Sequence, residues 1–157
     1  MIIQIISFML MFGIESRIAN IDATSQLPQI VCTFAYTESR FKQNNVMQVS
    51  PILLKHKSIK YKWLKPLYKI FGNNLVENKY VSYIMGITHI QWLIKRYKGN
   101  MLRVIQGWSN GVYSKYQNEY YLKKFDFHFR NVCKDNNTSI EIITNHIARN
   151  ETPKYDY

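Results

Sequence analysis

Glu38 is the residue in this chain whose surroundings point most directly to chemistry. Leu27, Val31, Phe34, Glu38 and Phe41 recur at alternating steps of four and three, which sets all five on one face of a helix. Four are apolar and the fifth is a carboxylic acid. Taking a carboxylate out of water is costly unless it is paired or neutralised. Apolar surroundings favour the protonated form of a carboxyl, and a carboxyl that holds a proton near neutrality can donate it in catalysis. The plainer reading leaves Glu38 at the helix end with its carboxylate turned out to solvent. Acids are scarce, 10 against 21 basic residues, so few other groups could share acid–base work. The histidines (His56, His89, His128, His146) and the two cysteines show no metal-ligand spacing, so neither a metal site nor a cofactor is expected. Cys32 reads as a small core residue on the Glu38 helix. A bridge to Cys133 requires the C-terminal segment to pack back onto that helix.

The elements that must position Glu38 fit into one domain, since 157 residues are enough to bury a core. With 46% hydrophobic and 15% aromatic residues the chain is not a disordered one. A net charge of +11 suits a polyanionic partner: nucleic acid, a membrane surface or an anionic cell-wall polymer. Residues 1–14 are almost continuously apolar, too short to span a bilayer and without the basic start of a signal peptide. They read as a first core helix running on through Ile18 and Ile21, with an uncleaved export or membrane-surface segment as the competing reading. Asp22, Thr24 and Ser25 mark a turn, and Pro28 opens a helix expected to run from Leu27 to Lys42. A polar turn at residues 42–45 leads into an extended segment, Val46 to Ser50, closed by Pro51.

From Lys55 to Lys69 basic residues interleave with Tyr61, Trp63 and Tyr68. Such a run can take phosphates and stack on bases, line a sugar-binding cleft, or form an ordinary solvated face. Gly72-Asn73-Asn74 breaks the chain. A helix with Tyr80, Tyr83, Ile84, Ile87, Ile90, Ile94 and Tyr97 on its spacing stops at Gly99-Asn100. Met101, Leu102, Ile105 and Trp108 begin another face that ends at Ser109-Asn110-Gly111, and Tyr120 to Val132 suggest an aromatic helix. Thr138 with Glu141 forms a candidate capping box for a last short helix, and NETPKYDY reads as a loose tail. The chain is expected to be mainly α.

Four stretches then resemble one family. Glu38-Ser39-Arg40-Phe41 resembles the Glu-Ser-x-Phe motif of lytic transglycosylases of the soluble (SLT) type, which share a lysozyme-like fold. Asn45-Val46-Met47-Gln48-Val49-Ser50-Pro51 is similar to the family's Gly-Leu-Met-Gln-x-x-Pro segment. Trp92 to Gly111 is similar to its long helix, Tyr-x-Gly-Asn turn and Ala-Tyr-Asn-Ala-Gly motif. Tyr97, Gly99 and Asn100 match the turn, while Trp108, Ser109 and Gly111 stand where Tyr, Asn and Gly would be. Tyr120 to Phe125 resembles its Asn-Tyr-Val-x-x-Val stretch, with Tyr121 as the tyrosine that contacts the catalytic acid. All four come in the family's order and cover roughly residues 14–125. The sequence departs from the pattern in a shorter loop after the acid, in Asn45 for glycine and in Ser109 for asparagine. Asn45 suits a glycine's place because Asn visits left-handed backbone.

The resemblance implies a lysozyme-like single domain over residues 15–133, with a central catalytic helix and a cleft. Residues 1–14 precede it as an apolar helix or export segment, and residues 134–157 follow as a short helix and tail. It implies a peptidoglycan lytic transglycosylase, with lysozyme-type hydrolysis as its near variant. Glu38 would be the acid and base, and Tyr121 would orient it. Met47 and Gln48 would form a cleft wall, Trp108 would face the sugar, and Ser39 and Ser109 would complete the substrate-binding set. For Met47 and Trp108, core packing is the competing role. The implied partners are glycan strands and an anionic wall surface, in the cell envelope, outside the cell or on a phage virion. Two other classes stay open: a basic helical nucleic-acid-binding domain using Lys55 to Lys69, and a non-catalytic wall-binding or virion protein of the same fold. No helix-turn-helix, zinc-finger or RNA-recognition signature accompanies that basic run, so nucleic acid is the weaker partner.

Overall fold

The computed structural model describes residues 1–149, which form eight α-helices and no strand. They are α1 (Ile2–Ala19), α2 (Leu27–Ser39), α3 (Pro51–Lys60), α4 (Leu64–Phe71), α5 (Lys79–Arg96), α6 (Met101–Asn110), α7 (Glu119–Asn131) and α8 (Asn136–Ala148), with a 3-10 segment Gly72–Glu77 between α4 and α5. The tail expected at residues 150–157 lies outside the described residues.

α2 lies in the middle. It packs along α7 and α8 and touches α5. Ile30, Val31, Phe34 and Ala35 are buried on it, and the Phe34 ring meets Trp108 and Phe125 with centroids 4.9 Å away in each case. Its buried polar groups are answered locally: Thr33 donates to the Gln29 carbonyl at 2.7 Å, and Gln29 Nε2 donates to the Phe129 carbonyl at 3.2 Å. The helix was expected to reach Lys42 but ends at Ser39. Arg40 and Phe41 both adopt left-handed backbone, φ 51° and 58°, which no right-handed helix can continue through.

α1 departs further from expectation. It is not a core helix, because only Ile18 on it is buried, with Met11 and Ile14 partly packed. Its last turns rest on α6 and α7, and the first three stand clear of the domain. The seam is polar as well as apolar. Asp126 of α7, its side chain 4% exposed, accepts from Arg17 Nη2 at 2.8 Å and Nε at 3.1 Å, and Arg130 closes on it from one turn away.

Three smaller expectations change. Pro51 begins α3 instead of closing an extended segment, with Ser50 Oγ capping the Leu53 N–H at 3.1 Å, and residues 46–50 are loop. The cap of α8 is Asp135, which accepts from Thr138 N at 2.7 Å, so Thr138 and Glu141 form no capping box. Cys32 is more than a small core residue: it is joined by a disulfide to Cys133, just past α7. The last helices do fold back: α8 shares the α2 core, and α1 runs unbroken through residue 14.

Candidate active site

Glu38 sits in the last turn of α2, half-buried. Its Oε1 accepts two hydrogen bonds, from the Tyr121 hydroxyl at 2.7 Å and from the Trp108 indole Nε1–H at 2.6 Å. These donors come from α7 and α6, 83 and 70 residues further along the chain. An indole N–H can only donate. Burial, with the Glu38 carboxylate beside it, pushes the Tyr121 hydroxyl well above its usual value, so the tyrosine stays protonated and donates. With Oε1 taken twice, a proton on this carboxyl belongs on Oε2, which makes no hydrogen bond to the described residues. The result is a single carboxyl with one oxygen held and one free. Among the described residues no second acid joins this network, and the buried Asp126 is committed to Arg17 and Arg130.

The loop after α2 is fixed from three sides. The buried Ser39 donates through Oγ to the Val46 carbonyl at 2.8 Å, with the Ala35 carbonyl 3.2 Å away. Asn45 Oδ1 accepts from Val49 N at 2.9 Å and from Ser82 Oγ at 2.8 Å, and Ser82 Oγ accepts from Met47 N at 3.0 Å. Asn45 therefore organises the loop through its side chain. Between Asn45 and Ser50 the left-handed residue is Gln48, at φ 49°. Met47 is fully buried against the bare backbone of Gly86, where an added Cβ would come within 2.6 Å of Met47 Cγ. It shapes the loop from beneath and presents no surface to a ligand.

The other expected residues divide. Gln48 is exposed and bonded within the loop, to Gln43 and to the Asn45 carbonyl. Ser109 lies close to Trp108 on α6, but its hydroxyl bonds back to the Ile105 carbonyl at 2.9 Å. Ser39 ties the helix to the loop rather than reaching outward. Trp108, expected to offer its ring to a sugar, holds Glu38 through its nitrogen. Glu38, Trp108 and Tyr121 are thus brought together, with Ser39, Met47 and Gln48 behind or beside them.

Sequence reading missed Ser82, whose single hydroxyl carries no spacing signal. It also missed His89, which stacks on Trp92 and stands 5.6 Å from the Trp108 ring. Burial, with the positive charge of Lys57 nearby, pushes His89 down to about 4, so at neutral pH it is an uncharged neighbour of the site. The basic run from Lys55 to Lys69 is not one continuous face. It divides between α3 and α4, and Lys57 is turned inward with only 7% exposure. The depressions of about 530 and 240 Å³ lie against α7, beside Gln29 and Ile18 respectively, and Glu38 lines neither. Among the described residues no cluster of His, Cys, Asp and Glu could hold a metal ion. Comparison with protein-family models, with curated proteins and with solved structures gives no match to this chain.

Proposed function

We propose that this chain is a peptidoglycan lytic transglycosylase of lysozyme-like fold, with Glu38 as both acid and base. The observation that carries the reading is the pair of donors on Glu38 Oε1, which leaves Oε2 as the one proton-bearing atom. Glycosidases ordinarily use two carboxyls, one as acid and one as nucleophile or base for water. A site with one acid needs a substrate that brings its own nucleophile, and N-acetylmuramic acid does.

The protonated Oε2 donates to the glycosidic oxygen between N-acetylmuramic acid and N-acetylglucosamine, and the C1–O bond breaks. The acetamido oxygen of the muramoyl ring stabilises the positive C1, as in other substrate-assisted glycosidases. The C6 hydroxyl then attacks C1 and its proton returns to Glu38, leaving a 1,6-anhydromuramoyl end with no water consumed. Tyr121 and Trp108 keep the carboxyl in one orientation through both proton transfers, and stabilise it whenever it is charged. A net charge of +11 suits a wall rich in anionic groups and so supports a site of action in the envelope, outside the cell or on a virion.

Zymography on purified cell walls, with wild-type and Glu38→Gln protein, tests the proposal. Loss of a general acid lowers the rate about 10²–10⁴-fold, so the variant should leave walls intact while keeping its fold. Equal clearing by both proteins removes Glu38 from the mechanism. Binding to walls without release of muropeptides by either protein supports a non-catalytic wall binder instead. Mass spectrometry of the products separates anhydro ends from the reducing ends of simple hydrolysis.

A further inference from the structure

We infer that the first three turns of α1 are a retained anchor buried in the apolar layer of a lipid bilayer. The inference rests on α1 and its seam with the domain, and on no part of the glycan reading. Phe8, Phe12, Ile5, Met9, Ile6 and Ile3 are each more than half exposed. At 3.6 residues per turn they cover roughly 220° of the helix circumference. A protein partner is met by a narrower stripe, with polar residues opposite. Only a surrounding apolar medium satisfies a helix this greasy on so many sides. On the remaining arc Met11, Ile14 and Ile18 face the domain, and the first turns carry there only the uncharged Gln4 and Ser7.

Length and charge agree. No charged side chain occurs from Ile2 to Ile14, and the first, Glu15, comes where the helix meets α6 and α7. Those 13 residues extend ~20 Å, against a hydrocarbon core of about 30 Å. Anionic headgroups at the mouth of the insertion are complemented by the basic domain.

Retention follows from the seam. Cleavage at the end of α1, after Ala19, would remove Ile18, 1% exposed, and Arg17, whose two bonds hold the buried Asp126. A disposable leader is not built into the core in this way. With no linker between anchor and domain, the Glu38 site has a fixed orientation relative to the membrane.

The test is flotation of the full chain with vesicles of phosphatidylcholine alone and of phosphatidylcholine with phosphatidylglycerol, at low and high salt. The expected result is flotation with neutral vesicles that persists in high salt. Ile5→Asp/Phe8→Asp/Phe12→Asp should reduce it at least tenfold, with an unchanged circular dichroism spectrum and melting curve. Flotation of that variant equal to wild type means that the basic surface alone binds, and overturns the inference. So does a wild-type chain that stays unbound as a discrete oligomer which the variant cannot form, because a second copy then covers the helix. Intact mass of chain extracted from membranes should include residues 2–18, and a chain that lacks residues 2–12 overturns retention.

Discussion

α1 and α2 are both apolar helices, and they finish in opposite surroundings. α1 has a mean hydropathy of 1.6 over 18 residues, yet only 6% of that stretch is buried. α2 carries threonine, glutamine, serine and glutamate, yet eight of its 13 residues are buried. Apolar character is a demand for burial, and it is met only where other elements supply a matching surface. α2 has its apolar residues on faces that α5, α7 and α8 cover, and its polar groups have partners on α2 itself, on α6 and α7 and in the loop that follows. α1 distributes its apolar residues so widely that no single neighbour could cover them. The acid at the end of α2 gains a defined place from that enclosure.

The contrast can be broken at several points. Replacing both Cys32 and Cys133 by alanine releases a cross-link that spans 101 residues between α2 and the end of α7. A loop of that size corresponds to about 4–5 kcal/mol in the chain-entropy account. Urea unfolding should show a loss of that order, and an unchanged midpoint would mean the bond contributes nothing to α2's enclosure. Phe34→Ala should cost about 3–5 kcal/mol, since the ring is fully buried between Trp108 and Phe125. Tyr121→Phe removes a hydrogen bond to a charged group, worth about 1.5–3 kcal/mol. It should lower turnover of cell walls about ten- to a hundredfold and melting temperature by a few degrees, whereas a loss confined to stability would make Tyr121 a packing residue.

Acid should affect the two regions differently. His146, 5% exposed, packs on Phe41 at the end of α2 and shares a hydrogen bond with Tyr83. Burial first, then Lys79 and Arg149, lower it from 6.5 to about 4. The folded form therefore binds fewer protons than the unfolded form between those values. The stability of this region is complete above about 6.5 and declines as pH falls towards 4. Melting temperature should drop by a few degrees across that window, while vesicle binding by α1, which has no titratable side chain before Glu15, should not change. Smallest of all is Phe8→Ala, expected to alter folding stability by less than about 0.5 kcal/mol, because the residue is 72% exposed. A cost near that of Phe34→Ala would mean that α1 is covered by protein after all.

What could be read from the sequence was what local spacing encodes. The four-three pattern placed Leu27, Val31, Phe34 and Glu38 on one face of α2, while Phe41, its last member, falls beyond the helix end, and glycine and asparagine marked where α5 stops and α6 starts. The motif order singled out Tyr121, which does bond to Glu38. Periodicity could not say whether α1 is buried, because a run apolar on most sides has the same pattern in a core and in lipid. Nor could spacing show which way a side chain turns. Met47 and Ser39 lie in a recognisable segment, but Gly86 and Ser82, some 40 positions later, draw that loop inward. The indole N–H of Trp108 and the union of Cys32 with Cys133 are likewise meetings across the chain that no local window contains. Asn45 matched a glycine by its tolerance of left-handed backbone, and it serves instead through its amide.

The covalent tie between α2 and the end of α7 also joins the two elements that bring Glu38 and Tyr121 within 2.7 Å. A newly made chain in a reducing cytosol would hold those helices together by packing alone, and the carboxyl and the phenol would drift in and out of register. Oxidation would then be a step of maturation that secures the pairing of Glu38 with Tyr121.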